Sequence, residues 1–318
     1  MSIKKLILSL WFLPCLAWAW QPTKPITVIF PNAPGAGNEI SFRIVADQIE
    51  RRTNVLFKSE HRPGADGNIA ISYFATVPAD GHTIAVPACQ SNWVTAEIWY
   101  PQAARYDIMA FEPVANIARS PLTFWANPTS GVNTPEQLAE AIRRSDRPLT
   151  FAIGGGGHRL ALEYLLKSLN VPAHRVEAVM YKGPAQALVD VMGGHAEFGI
   201  TPVAVGYPLM RDGRLKLIGL ANDQPLPGLE SAPLMKSVSP GLSIHGCWNI
   251  ILPAGTPEPI QRWYREQFVP AIRSAESAVK FKENLMFVTA QEHSADGVRR
   301  SMTELRRVWQ PIARQIKP

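Results

Sequence analysis

Short apolar runs alternate with amphipathic segments along most of the chain. Residues 25–30 are apolar and β-branched, a pattern that predicts a buried strand. After the loop 31–38, apolar residues recur at helical spacing and predict a helix that ends near Arg52. By the same criteria we expect further strands at 55–59, 82–87, 114–118, 122–126, 149–153, 176–180, 197–200, 215–220 and 248–252, and further helices at 69–76, 136–144, 158–169, 185–192, 257–273, 275–283 and 295–316. Strands that alternate with helices predict an α/β fold, in which mainly parallel sheets are covered by helices on both faces.

Length and pattern together predict two domains. With 318 residues, the chain is long enough for two units of ordinary size, although a single large α/β unit is the alternative. A second alternating set of strands and helices occupies residues 119–244. Within that set, the Pro- and Gly-rich stretch 224–241 is typical of a connection over the surface.

The N-terminal residues predict export. Lys4 and Lys5 precede an apolar run, and Ala17-Trp18-Ala19 places small residues at the −3 and −1 positions of a signal-peptidase site. A membrane anchor is the alternative, but the apolar stretch of about 14 residues is shorter than the roughly 20 needed to span a bilayer. A lipoprotein is disfavoured because Pro14 precedes Cys15, where a small residue is required. We therefore expect residues 1–19 to be a signal peptide and the mature protein to be periplasmic.

The composition narrows the functional classes. Apolar residues make up 46% and charged residues 18% of the chain, which suits a globular protein with a large core. The formal charge of +6 is not gathered into a basic stripe with interleaved aromatic residues, so we expect no nucleic-acid partner. Because the seven histidines are widely separated and no Cys-x-x-Cys motif is present, we expect no metal site and no cofactor. The sequence also has no Gly-x-Ser-x-Gly elbow or close Ser, His and carboxylate set, so we expect no catalytic residues.

Two glycine-containing loops carry the chemistry that the sequence offers. Gly35–Glu39 and Gly154–His158 each join a predicted strand to a predicted helix. Free backbone N–H groups at a helix N-terminus bind carboxylate or phosphate, and glycine lets the ligand approach the backbone closely. In the first loop Asn38 is a candidate helix cap. Neither loop carries a dinucleotide or P-loop motif, and ordinary strand-to-helix turns remain the alternative.

Short motifs in a fixed order resemble a known family. They are Lys24–Ile26, Pro34–Gly37, Arg62–Ile69, Pro78–Thr83, Tyr181–Gly183, Gly193–Gly194, Asp212–Leu215 and Leu252–Pro257. Together they are similar to the solute receptors of tripartite tricarboxylate transporters, the Bug-type periplasmic binding proteins. The resemblance implies a two-lobed fold of the type II-like periplasmic binding proteins, with residues 20–118 plus 245–318 in lobe 1 and 119–244 in lobe 2. A small carboxylate would bind in the cleft between the lobes, without any reaction.

The resemblance also implies the functional role and the site residues. We expect a monomer that delivers its solute to membrane transporter subunits; a sensory or orphan receptor with a signalling partner is the alternative. The chain departs from the family pattern at Glu39, where aspartate is common, at Thr201, which is often acidic, and in the all-glycine second loop. The expected ligand-binding residues are Gly35, Ala36, Gly37, Asn38 and Glu39 of the first loop, Gly154, Gly155, Gly156, Gly157 and His158 of the second, and Ser91, Asn92, Tyr181, Thr201 and Trp248 elsewhere.

Two cysteines remain in the mature chain, Cys89 and Cys247. In the implied fold, the strand that follows Cys247 returns antiparallel beside the strand that precedes Cys89. We therefore expect the two sulfurs to be close together at the base of the cleft. Two unpaired, buried thiols are the favoured state and a disulfide is the alternative.

Overall fold

The computed structural model describes residues 20–316, and the predicted signal peptide at 1–19 lies outside them. The strands in this range are β1 (Ile26–Phe30), β2 (Phe57–His61), β3 (Thr83–Ala85), β4 (Glu112–Ala126), β5 (Leu149–Ile153), β6 (Val176–Met180), β7 (Phe198–Pro202), β8 (Lys216–Leu220) and β9 (His245–Leu252). The α-helices are α1 (Gly37–Thr53), α2 (Asn68–Phe74), α3 (Ala96–Trp99), α4 (Pro135–Arg144), α5 (Gly156–Ser168), α6 (Pro184–Met192), α7 (Val203–Arg211), α8 (Glu258–Ile272), α9 (Ala275–Glu283) and α10 (Ala295–Ala313).

The first group of strands combines early and late parts of the chain. β1 lies between β2 and β3, and all three are parallel. β9 then pairs antiparallel with β3, and β4 pairs antiparallel with β9. Phe42 of α1 packs between Phe30 of β1 and Phe268 of α8, with ring centroids 5.7 and 5.8 Å away. These aromatic contacts fix α1 on the sheet, so the loop before α1 has a defined position.

The second group of strands repeats the arrangement in the middle of the chain. β5 lies between β6 and β7 in parallel, and β4 pairs antiparallel with both β7 and β8. Leu160 and Leu165 of α5 are fully buried against this sheet together with Ile142 of α4. Each group is thus built on three parallel strands, as predicted, but the antiparallel strands β9, β4 and β8 make the sheet mixed rather than mainly parallel.

One long strand belongs to both groups. The sequence pattern predicts two strands at 114–118 and 122–126, but β4 continues without a break through Arg119, Ser120 and Pro121. Its first part pairs with β9, and its last residues, 122–126, pair with β7 and β8. Pro121 does not end the strand, because its partner in the ladder is His245 at the very start of β9. β4 is therefore a continuous connection between the two groups.

Two helical segments are not predicted by the sequence pattern. Residues 90–95 form a π-helical turn that leads into α3, and every side chain of this turn is buried. A segment buried on all sides lacks the alternation of polar and apolar positions on which the prediction depends. α7 is missed because Gly206 and Pro208, both poor helix formers, lie inside it.

Cys89 and Cys247 form a disulfide, with Cα atoms 5.4 Å apart. The predicted proximity is confirmed, and the expectation of unpaired thiols is wrong. An antiparallel bridge between Ala88 and Trp248 places the two cysteines side by side, since each is the neighbour of one bridge partner. This bond ties the start of β9 to the segment that follows β3.

The C-terminal helix α10 packs against both parts of the molecule. The Trp99 indole N–H donates a hydrogen bond to the carbonyl oxygen of Ala313, and Trp309 contacts Tyr164 of α5 edge-to-face. Along its length α10 also covers β4. Across residues 20–316, none of the helices combines the length and the apolar character that a bilayer crossing requires.

Candidate functional site

The two predicted loops meet at one cavity. It has a volume of about 40 Å³ and is lined by the loops before α1 and α5, by residues after β3, and by parts of β4 and β9. Its lining residues are Asn32, Ala36, Gly37, Ala88, Gln90, Ser91, Leu122, Gly154, Gly155, Gly157, His158, Pro184, Pro202, Gly246 and Trp248. A neighbouring cavity of about 220 Å³ shares Asn32 and Gly154 with it and extends to Asp66, Tyr181 and Lys182. The geometry therefore brings the two loops together, as the sequence predicts.

The N-terminus of α1 presents unpaired backbone donors. Ala36 is the N-cap residue and its side chain makes no capping bond. Within the described residues, the N–H groups of Gly37 and Asn38 have no protein acceptor. The Asn38 side chain is not the cap that the sequence suggests, since its amide donates to Asn32 Oδ1 and to the carbonyl oxygen of Val86. These bonds hold the loop in place and leave the backbone donors free.

Glu39 supports the loop in a way that the family resemblance does not anticipate. Its Oε2 accepts a hydrogen bond of 3.0 Å from the Gly35 N–H, and its Oε1 lies 3.2 Å from His61 Nε2. His61 Nδ1 in turn lies 2.9 Å from the carbonyl oxygen of Asn32. The longer side chain thus reaches back over the loop, so the Gly35 N–H is not available to a ligand.

Trp248 closes one wall of the cavity against Gly37. A Cβ atom on Gly37 would lie 2.1 Å from Trp248 Cζ2, far inside van der Waals contact. Glycine is therefore required here for a close approach rather than for an unusual backbone angle. The indole ring, 3% exposed, covers the first turn of α1 beside the free N–H groups.

The second loop is organised by His158. Its Nδ1 accepts a 3.1 Å hydrogen bond from the Gly154 N–H, so in the neutral ring the proton is on Nε2. Burial lowers the pKa of His158 to about 3, so the ring is neutral at physiological pH. His158 can therefore contribute a neutral donor to the cavity, and it cannot contribute a positive charge. The N–H groups of Gly155 and Gly157 have no acceptor within the described residues.

Asp66 contacts the second loop and lines the neighbouring cavity, and the sequence interpretation does not include it. Its Oδ2 accepts a 2.8 Å hydrogen bond from the Gly156 N–H, which also lies 3.2 Å from Ser91 Oγ. Burial raises the pKa of the Asp66 carboxyl to about 7, and the bonds from Ser91 and Gly156 oppose that rise. No signal in the sequence could identify this contact, because it joins residues 90 positions apart through the fold.

Seven of the predicted residues do not line the small cavity: Gly35, Asn38, Glu39 and Gly156 belong to the two loops beside it, and Asn92, Thr201 and Tyr181 lie elsewhere. The side chain of Asn92 is bonded to the Ala88 N–H and to Asn68, and it lines a separate cavity. Thr201 is buried, and its Oγ1 accepts a 2.9 Å bond from the Trp125 indole. Tyr181 lines the neighbouring cavity and donates to Asp190, and its pKa is raised to about 12, first by burial.

Other lining residues were not predicted. Gln90 lies next to the predicted Ser91, and its Nε2 donates to the carbonyl oxygen of His245 at 2.5 Å. Pro184, Pro202 and Gly246 line the cavity with backbone and apolar surface. Among the described residues, no ionised side chain lines the small cavity, so an anion held there would depend on backbone and neutral donors. Within residues 20–316, no three His, Cys, Asp or Glu side chains are grouped as a metal ion would require.

Comparison with known proteins decides the family. A family model described as "Tripartite tricarboxylate transporter family receptor" matches residues 41–316. The chain belongs to this family. The resemblance carried by the sequence motifs is thereby confirmed, and the protein is a solute receptor rather than an enzyme.

Individual relatives agree with this assignment. A UPF0065 protein of Bordetella bronchiseptica is 25% identical over 249 residues, which cover 77% of this chain and 71% of that protein. The structure of Rpa4515 from R. palustris with adipate is 25% identical, with a TM-score of 0.87 over 93% of this chain and 99% of that one. MatC from Rhodopseudomonas palustris with bound malate is 20% identical, with a TM-score of 0.84 over 92% and 100% of the two chains. The predicted periplasmic-binding-protein fold is confirmed by these likenesses.

Proposed function

We propose that this protein is a periplasmic receptor that captures a small carboxylate in its cleft and delivers it to the membrane subunits of a tripartite tricarboxylate-type transporter. Lobe 1 of this proposal comprises residues 20–118 plus 245–318, and lobe 2 comprises residues 119–244. Export through the predicted signal peptide at 1–19 and action as a monomer belong to the same proposal. The family assignment supports the receptor role.

The observation that carries the proposal is the convergence of two helix N-termini on one cavity. α1 contributes the free N–H groups of Gly37 and Asn38, and α5 contributes those of Gly155 and Gly157. Both helices also direct the positive ends of their dipoles toward the cavity, which favours a bound anion. Among the described residues, no side chain that lines the cavity itself is ionised, and the Asp66 carboxyl lies just outside the lining, bonded to the Gly156 N–H.

The chemistry of related receptors agrees with a carboxylate ligand. Rpa4515 is described with adipate and MatC with malate, and both solutes carry carboxylate groups. A planar carboxylate accepts up to four hydrogen bonds, which matches neighbouring backbone donors at the start of a helix. The Trp248 ring would cover the ligand beside Gly37 and exclude water, which strengthens hydrogen bonds to the anion.

The proposal is tested by screening carboxylic acids against the purified mature protein. We expect at least one small carboxylate to raise the melting temperature, because a ligand at 100 times its Kd stabilises the folded state by about 2.7 kcal/mol. Calorimetric titration of the hits then gives Kd. If no mono- or dicarboxylate of two to six carbons raises the melting temperature, the proposal is wrong.

Two neighbouring glycines provide a matched pair of variants for the site. A Cβ atom on Gly156 would lie 2.4 Å from Asp66 Oδ2 and 2.7 Å from Thr95 Oγ1, whereas a Cβ atom on Gly155 would have its nearest neighbours at 3.4 Å. We therefore expect Gly156→Ala to weaken carboxylate binding about tenfold or more (about 1.4 kcal/mol), because the loop must shift, and Gly155→Ala to weaken it less, because its methyl group fits against the protein and only narrows the cavity that Gly155 lines. Equal affinities for both variants and wild type would show that the second loop does not form the site.

A further inference from the structure

A carboxylate of the protein itself already lies at the start of α5. Asp66 reaches from the turn before α2, and its Oδ2 accepts the Gly156 N–H at 2.8 Å. A Cβ atom built on Gly155 would lie 3.4 Å from Asp66 Oδ1 and 3.4 Å from Ser91 Oγ. Since Gly155 and Ser91 line the small cavity, the Asp66 carboxyl stands at its edge.

The turn that carries Asp66 has a left-handed backbone. The φ of Asp66 is +54° and its ψ is +36°, in the left-handed region where glycine is free of strain. Glycine follows at position 67, also at positive φ, so the turn already contains one residue suited to this conformation. Ala65 precedes Asp66 at a φ of 45°, so the turn as a whole places the Asp66 carboxyl against the start of α5.

No cation compensates the charge of this carboxyl in the part of the chain that the structure describes. Within residues 20–316, no Lys, Arg or His nitrogen lies within 4.0 Å of it. Arg159 is the nearby guanidinium, and it is paired with Glu163 at 2.6 Å. Lys182 lines the neighbouring cavity together with Asp66, but its side chain is exposed to solvent. Burial without a cation is also why the pKa of Asp66 is raised to about 7.

We infer that Asp66 is a specificity residue: it occupies the anion position at the start of α5 and restricts the receptor to ligands with a single carboxylate. This inference rests on the proposed function, because it names the class of carboxylate that the same site accepts. In this inference the ligand carboxylate binds between the free N–H groups of α1 and those of Gly155 and Gly157, and the Asp66 carboxyl at the edge of the cavity faces the rest of the ligand. A second carboxylate on the ligand would meet the Asp66 carboxyl and find the Gly156 N–H already in use.

The test compares acids of equal chain length in the full mature protein. Calorimetry measures the binding of three pairs of acids, each a monocarboxylate and the dicarboxylate of the same length: propionate with malonate, butyrate with succinate, and hexanoate with adipate. Each acid is titrated into wild type, Asp66→Gly and Asp66→Asn. Glycine at position 66 fits the backbone angle and leaves the Gly156 N–H without an acceptor. Asparagine at the same position keeps an acceptor for that N–H and removes only the charge. Circular dichroism and melting temperature show whether each variant is folded.

We expect wild type to bind the monocarboxylate of the best pair about tenfold or more tightly than its dicarboxylate. In Asp66→Gly, the ratio of the dicarboxylate Kd to the monocarboxylate Kd falls to about one or below one. In Asp66→Asn this ratio also falls, so the test remains valid if the glycine variant does not fold. The inference is overturned if wild type binds dicarboxylates at least as tightly as monocarboxylates, or if the ratio of the two Kd values is unchanged in the folded variants. Either result leaves the proposed function intact. A wild type that binds neither acid of any pair would overturn both.

Discussion

Two titratable residues at the cleft, His158 and Asp66, make opposite contributions to stability as the pH changes. The pKa of His158 falls from 6.5 to about 3 on folding because of burial, so between these values the folded state binds fewer protons than the unfolded state. The free energy of unfolding therefore rises with pH across that window. The pKa of Asp66 rises from 3.8 to about 7, so its contribution falls as the pH rises from about 4 to 7. Burial also lowers the pKa of His245, to about 4, so its contribution to the free energy of unfolding rises with pH as that of His158 does.

Substitution of each residue should separate these contributions. We expect His158→Gln to lose less stability than wild type on acidification from pH 7 to 4.5, because its unfolded state no longer gains a proton at this position. Asp66→Asn should lose more, because the compensating carboxyl is gone. A fully titrating group changes the free energy of unfolding by at most about 1.4 kcal/mol per pH unit. Urea unfolding at pH 7.5, 6.0 and 4.5 measures both effects, and parallel pH profiles for all three proteins would contradict the assignment.

Single residues also show why part of the site could not be predicted from the sequence. The Gly35–Glu39 and Gly154–His158 loops are recognisable because their chemistry lies in consecutive residues at helix starts. Asp66 meets Gly156 only through the fold, and although it lies in the Arg62–Ile69 motif, that motif does not indicate a contact with the second loop. Thr201 is the opposite case, since a family position suggests ligand contact and the fold bonds its hydroxyl to the Trp125 indole.

At the scale of elements, the strands and helices with clear periodicity were predicted within a few residues. β5, β6 and α9 have the expected bounds because each combines a definite apolar pattern with turn or capping residues at its ends. α7 was missed because of its internal Gly206 and Pro208, and β4 was divided in two because of Pro121. In each of these cases tertiary packing or strand pairing overrode a local signal.

The disulfide between Cys89 and Cys247 is the covalent link between elements, and its removal should cost stability. It closes a loop of 158 positions and both cysteines are buried. We expect the double variant Cys89→Ser, Cys247→Ser to lose about 2–4 kcal/mol of unfolding free energy, mainly because its unfolded state is less constrained. Urea unfolding of the variant is compared with wild type in the presence and absence of a reductant.

Wild type unfolded under reducing conditions is the control for this prediction, since it should show the same loss as the double variant. Ligand affinity should change little, because neither sulfur lines the cavity. The disulfide contributes nothing to stability if the double variant has the same free energy of unfolding as oxidised wild type. The same conclusion follows if reductant does not change the free energy of unfolding of wild type.

At the scale of the whole molecule, the contacts across the cleft predict closure around the ligand. The Gly156 N–H bonds to Asp66 and Ser91, and the Ala33 N–H donates to the carbonyl oxygen of Lys182, so residues of the two proposed lobes touch directly. β4 and the start of β9 run side by side between the lobes, and Leu122 is bonded to Ile244 there. Two adjacent extended segments can bend together, which is the arrangement of a hinge.

A ligand that contacts both lobes binds the closed state more tightly and shifts the population toward it. We therefore expect small-angle scattering of wild type to show a smaller radius of gyration when a carboxylate identified by the thermal screen is saturating. Gly156→Ala should keep the larger radius even with ligand at saturation, because its Cβ atom would lie 2.4 Å from Asp66 Oδ2 when the two lobes touch as they do in this structure. Gly155→Ala is the control and should contract as wild type does, since its nearest contacts are at 3.4 Å. If wild type binds the ligand with no change in radius, the two lobes do not close on it, and the ligand is held by one lobe alone.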